Sequence, residues 1–138
     1  MNDQSKAKEN PRVIIIQKLY SYYLNKESEI TFPKHRYKKF IKDVVNGAIE
    51  RKELIQELLD KNLKKDINEK KTELMIKLMI MAAVYEFMFM HKTPIKVIIG
   101  EYLKVSDFFV GESQKSFLNA ILDKASKISR VIDNWINI

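Results

Sequence analysis

The chain has 138 residues, 46% hydrophobic and 31% charged, with three Gly, three Pro and no Cys. That is the size of one domain, able to bury roughly two-thirds of its unfolded surface, and it excludes a disulfide frame or a thiolate metal site. The formal charge of +7 favours anionic partners, nucleic acid among them, and its excess lies in the middle: residues 13–72 carry fourteen bases against nine acids, residues 73–138 eight against seven.

Residues 1–9 carry no apolar pattern. Asn10 and Pro11 then offer an N-cap and a first helical position, and Ile16, Leu19, Tyr20, Tyr23 and Leu24 follow at helical spacing. A loop is expected over 25–33, with Pro33 opening a second helix whose stripe is Tyr37, Phe40, Ile41, Val44, Val45, Ala48 and Ile49. Its other face carries Lys34, Arg36, Lys38, Lys39 and Lys42 without an acid, which reads either as a solvated face or as an anion-binding patch. Gly47 predicts a break or bend, because Gly costs about 1 kcal/mol relative to Ala inside a helix. Leu54, Ile55, Leu58, Leu59 and Leu63 resume the stripe, and 64–71 is a charged link.

The segment TELMIKLMIMAAVYEFMFMHK, residues 72–92, is apolar almost all the way round. Lys77 and Glu86 lie about 180° apart on a 3.6-residue helix, so they define no solvated face, and the helix must be surrounded. A bilayer span needs about 20 apolar residues, whereas the charge-free run here is only Leu78 to Tyr85, so no membrane is expected. Five of the six Met fall in this segment and read as core filling. Thr93 and Pro94 then start a helix bearing Ile98, Tyr102, Val105 and Phe109; Gly111 ends it; Phe117, Leu118, Ile121, Leu122, Ala125 and Ile128 form the next stripe. Trp135 and Ile136 prolong that stripe, docking on the chain's own surface or on a partner. The expected fold is all-α, with two packed helical bundles, residues 1–67 and 68–138, and about seven helices.

Catalytic chemistry is hard to write. His35 and His91 lack metal-ligand spacing and read as helix-end or surface residues, and Gly47, Gly100 and Gly111 make no phosphate loop, so neither an enzyme nor a cofactor is expected. Glu86, a carboxylate on an apolar helix, needs a partner or exposure, since an unpaired buried charge is very costly. Asn119 and Asp123, four apart, either tie the last helix to its neighbours or face a ligand. With no signal-like apolar start, the cytoplasm is expected.

In order and spacing AAVYEF, TPIKVIIGEYLK and KSFLNAILDKAS resemble the C-terminal half of bacterial NusB antitermination factors, and QKLYS at 17–21 resembles the first helix of that family. The chain departs from the family pattern with Gly100 for Asn, Tyr102 for Ala, Asp107 for Lys and Ala120 for Gly. The resemblance implies a non-catalytic factor that binds boxA-type RNA of ribosomal RNA leaders with a small-subunit ribosomal protein acting as NusE, in the RNA polymerase antitermination complex. It implies RNA contacts from the arm residues Lys6, Lys8 and Arg12 and from Lys115, and places Tyr20 and Glu86 at the ribosomal-protein surface. For both, an internal role stays open: core burial for Tyr20, an ion pair for Glu86. Glu9 and Asn10 stand where the family often has bases. The competing expectations are a helical adaptor that has lost RNA binding and a stand-alone relative of the NusB-like domain of rRNA methyltransferases.

Overall fold

The computed structural model describes residues 8–67 and 72–136, with side chains as far as Arg130. Among these residues there are six long α-helices and no strand: α1 Pro11–Leu24, α2 Lys38–Glu50, α3 Lys52–Leu63, α4 Leu74–Phe89, α5 Ile95–Phe109 and α6 Glu112–Ile136. The all-helical expectation holds, with six helices here against about seven expected. None is long and apolar enough to cross a membrane.

The organising helix is α4. Twelve of its sixteen residues are buried, and it touches all five other helices, as a helix without a polar face must. Met79, Met81 and Met88 are in the core and Met75 and Met90 pack on it, which satisfies the core-filling reading. α1 begins as its sequence dictates, with the Asn10 side chain accepting from the backbone N–H of Arg12 at 2.9 Å and of Val13 at 3.4 Å. From α1, Val13 to Ile16 and Leu19 enter the core.

Three local expectations are corrected. Pro33 does not open α2: residues 33–35 precede a turn, and the helix begins at Lys38. His35 explains the delay, because its Nδ1 accepts from the Tyr37 N–H at 3.0 Å and its carbonyl accepts from the Lys38 N–H at 3.1 Å. Gly47 does not break the helix either. It lies buried inside α2 against the Tyr85 ring of α4, which a Cβ at this position would overlap, so close approach outweighs helix propensity. The break comes at Arg51, between α2 and α3. Finally, α5 starts one residue late, with Pro94 as its N-cap and no side-chain cap from Thr93.

Asn119 and Asp123 are exposed, and Asp123 pairs with Lys127 on its own helix at 3.2 Å. The link from α6 to the turn after α3 is instead Lys124 Nζ to Asp66 at 2.8 Å. The backbone of α6 continues through Trp135, whose side-chain environment lies outside the described residues.

Candidate functional site

The only charged side chain in the core among the described residues is Glu86, fully buried in the last third of α4. Burying a carboxylate costs several kcal/mol unless its oxygens find donors. Three converge on it. Arg12, in the first turn of α1, donates from Nε to Oε2 at 2.9 Å and from Nη2 to Oε1 at 2.6 Å, a two-pronged pair in which the guanidinium fork matches the carboxylate. The Tyr102 hydroxyl of α5 donates to Oε2 at 2.5 Å. The Arg12 guanidinium also lies 4.9 Å from the Phe40 ring centroid and 5.7 Å from that of Tyr102, both within cation–π range. Four helices thus meet at one ion pair.

The electrostatics follow the geometry. Burial pushes the Tyr102 hydroxyl well above its ordinary pKa, and the neighbouring Glu86 charge pushes it further. For Arg12 burial acts downward, but the hydrogen bond and charge of Glu86 outweigh it, so its pKa is raised. The result is a neutral phenol on a locked ion pair, with the carboxylate's strongest acceptor directions occupied. Outside the pair, a cleft of about 550 Å³ is lined by Glu9, Asn10, Arg12, Tyr37, Phe40 and Glu101. Among the described residues no group of three or more His, Asp and Glu could hold a metal ion.

The residues expected from sequence are distributed as follows. Lys6 lies outside the described residues; Lys8 is exposed; Arg12 is only 12% exposed and engaged with Glu86. Lys115 donates to Asp107 of α5 at 3.0 Å. Tyr20 is half-buried on α1, packed on the core. Arg12 and Glu86, expected in two different contacts, are therefore brought together as partners, while Lys115 is held by an acid that stands at a departure from the resembled pattern.

Sequence reasoning placed Tyr102 in the core stripe of α5 but missed it as a donor to Glu86. The signal was present: a buried tyrosine hydroxyl needs an acceptor, and an isolated carboxylate on an apolar helix needs donors. It also missed His35. Since the Glu9 carbonyl can only accept, His35 Nε2 donates to it at 3.2 Å, while Nδ1 accepts from the Tyr37 N–H at 3.0 Å, so the ring ties the start of the chain to the turn before α2.

Comparison with known proteins bears on what this arrangement serves. The profile of the NusB family matches residues 6–127. Curated relatives include the transcription antitermination protein NusB of Rickettsia massiliae, 26% identical over 117 residues that cover 82% of this chain and 75% of the relative. Another, from Bradyrhizobium diazoefficiens, is 28% identical over 88 residues, 64% of this chain and 53% of the relative. Among solved structures, T. maritima NusB superimposes with a TM-score of 0.74 at 21% identity, over 86% of this chain and 89% of that one.

Proposed function

The chain belongs to the NusB family, and on that premise we propose that it is a transcription antitermination factor that binds boxA-type RNA together with a small-subunit ribosomal protein acting as NusE. The observation that carries this reading is the extent of the family match, which runs from the arm before α1 into α6 and takes in the whole of α1 to α5. It acts in the cytoplasm, within the RNA polymerase antitermination complex, by binding rather than by catalysis. The arm cations Lys6, Lys8 and Arg12, with Lys115, serve RNA, and the α1 face around Tyr20 serves the ribosomal protein, Glu86 itself being too deeply buried to touch it.

The ion pairs shape this proposal. With Arg12 held by Glu86 and Lys115 by Asp107, the described part of the expected RNA set retains only Lys8 free of an acid. Binding of RNA by the chain alone is then weak, and the ribosomal protein strengthens it. Titrating labelled boxA-type RNA with the chain, with and without the ribosomal protein, tests this. Tighter binding in the ternary mixture is expected, with Tyr20→Ala reducing the gain while thermal unfolding is followed in parallel. If no RNA binds even with the ribosomal protein present, the reading fails and a non-catalytic adaptor takes its place, which the occupied cations would favour.

A further inference from the structure

Leading into the first residue of α2 is a short run in which cations and an exposed aromatic alternate: Lys34, Arg36, Tyr37 and Lys38, continued by Lys42 one turn on. All five are exposed, Tyr37 by 47%. Among the described residues Lys39 is paired, with Asp43 at 2.7 Å, whereas Lys34, Arg36, Lys38 and Lys42 have no acid partner. A solvated helix face would account for cations alone. Tyr37, expected at the head of the apolar stripe of α2, instead stands outside it: the buried residues of that helix begin at Ile41, and the Tyr37 ring is left among the cations.

The placement of Tyr37 is determined by its neighbours. His35 binds its backbone N–H, the His35 ring lies 5.9 Å from the Tyr37 ring, and His35 is itself held by the Glu9 carbonyl. The Arg36 guanidinium lies 5.1 Å from the same ring. Tyr37 also lines the cleft of about 550 Å³ that leads in to Asn10, Phe40 and Arg12. Glu9 and Glu101 line that cleft too and would repel a phosphate, so a base suits it and the phosphates suit the lysines outside.

We propose that Lys34, Arg36, Tyr37 and Lys38, with the adjoining cleft, form a binding surface for single-stranded RNA. Successive bases stack on aromatic and guanidinium planes while cations follow the backbone, the combination that single-strand binders use. This rests on the RNA-binding reading above and relocates its main contact from the arm to the turn before α2. An anionic membrane would also attract the cations. It would draw on apolar side chains for insertion, and here those of α2 face inward.

The full-length chain is titrated with a 12-nucleotide oligouridine, with a 12-base-pair RNA duplex, and with phosphatidylglycerol vesicles, and boxA-type RNA with the ribosomal protein runs beside them. With Lys42 as a fourth cation beside Lys34, Arg36 and Lys38, four neutralised phosphates give a log–log salt slope of about −3 for the single strand, or about fifty-fold weaker binding from 50 to 200 mM salt. Replacing Lys34, Arg36 and Lys38 with Gln should lower that slope by about 2. Tyr37→Ala should weaken binding about tenfold with the slope unchanged, and Tyr37→Trp should restore it, which separates stacking from charge. Circular dichroism melts confirm that each variant folds. Equal binding by wild type and both classes of variant overturns this surface while leaving RNA binding itself intact. Preference for duplex or for vesicles over the single strand overturns it as well, and loss of all RNA binding, boxA-type included, overturns both proposals.

Discussion

Glu86 behaves as a core residue whose charge is satisfied internally, and the contributions of its three donors can be separated. Removing one side of a buried pair leaves the other charge stranded, so Glu86→Ala should destabilise the protein by about 3–5 kcal/mol in urea unfolding. Tyr102→Phe deletes one hydrogen bond to a charged acceptor and should cost about 1.5–3 kcal/mol. Replacing the whole cluster, Arg12→Met with Glu86→Met and Tyr102→Phe, should cost less than Glu86→Ala alone, because no charge is then left buried. A triple variant less stable than Glu86→Ala would show that the pair contributes more than its own desolvation. The need for a partner at Glu86 was legible in the sequence, since no neighbour within a turn could neutralise it. That the partner is Arg12, 74 positions away, was not, because periodicity reports which face a residue occupies and not which distant helix covers it.

At the scale of elements, α4 could be read from composition alone, and α1 from Asn10, Pro11 and the stripe that follows. The start of α2 could not. Pro33 satisfies the general rule for a first helical position, yet His35 supplies a ring acceptor that holds the chain in a turn until Tyr37. Gly47 misled for a related reason: propensity describes an isolated helix, while here the ring of Tyr85 occupies the space where a side chain would stand. Gly47→Ala, which would stabilise a free helix by about 1 kcal/mol, should therefore destabilise the folded protein by about 1–3 kcal/mol. Urea midpoints of the wild type and this variant test it, and a midpoint raised by the substitution would place the α2–α4 contact elsewhere. Asn10→Ala, which removes the acceptor for two backbone N–H groups of α1, should cost about 1 kcal/mol.

Over the whole molecule, the direction of the tyrosine shifts sets the response to alkali. Tyr102, Tyr23 and Tyr85 all have raised pKa values, chiefly through burial, so the folded state favours their neutral form. Their contribution is complete below the unfolded-state pKa of about 10 and is lost as pH climbs through the folded-state values, so stability should decline above pH 10. Tyr102→Phe should flatten that decline, as a pH series of thermal midpoints would reveal; an unchanged slope would assign the alkaline sensitivity to other groups. Three of the side-chain ties between distant parts of the chain share a further property. Arg12 to Glu86 spans 74 positions, and Tyr23 to Met81 and Lys124 to Asp66 span 58 each, so each closes a long loop. Closing such a loop is entropically unfavourable before the intervening helices have docked, which puts these bonds on the late side of the folding barrier. Stopped-flow measurements on Arg12→Met, which removes the 74-position tie, should accordingly place the loss on the unfolding limb, about tenfold faster for each 1.4 kcal/mol, with refolding almost unchanged. The buried carboxylate would then act as a latch on the native state: it contributes little to how fast the protein forms and much to how long it lasts.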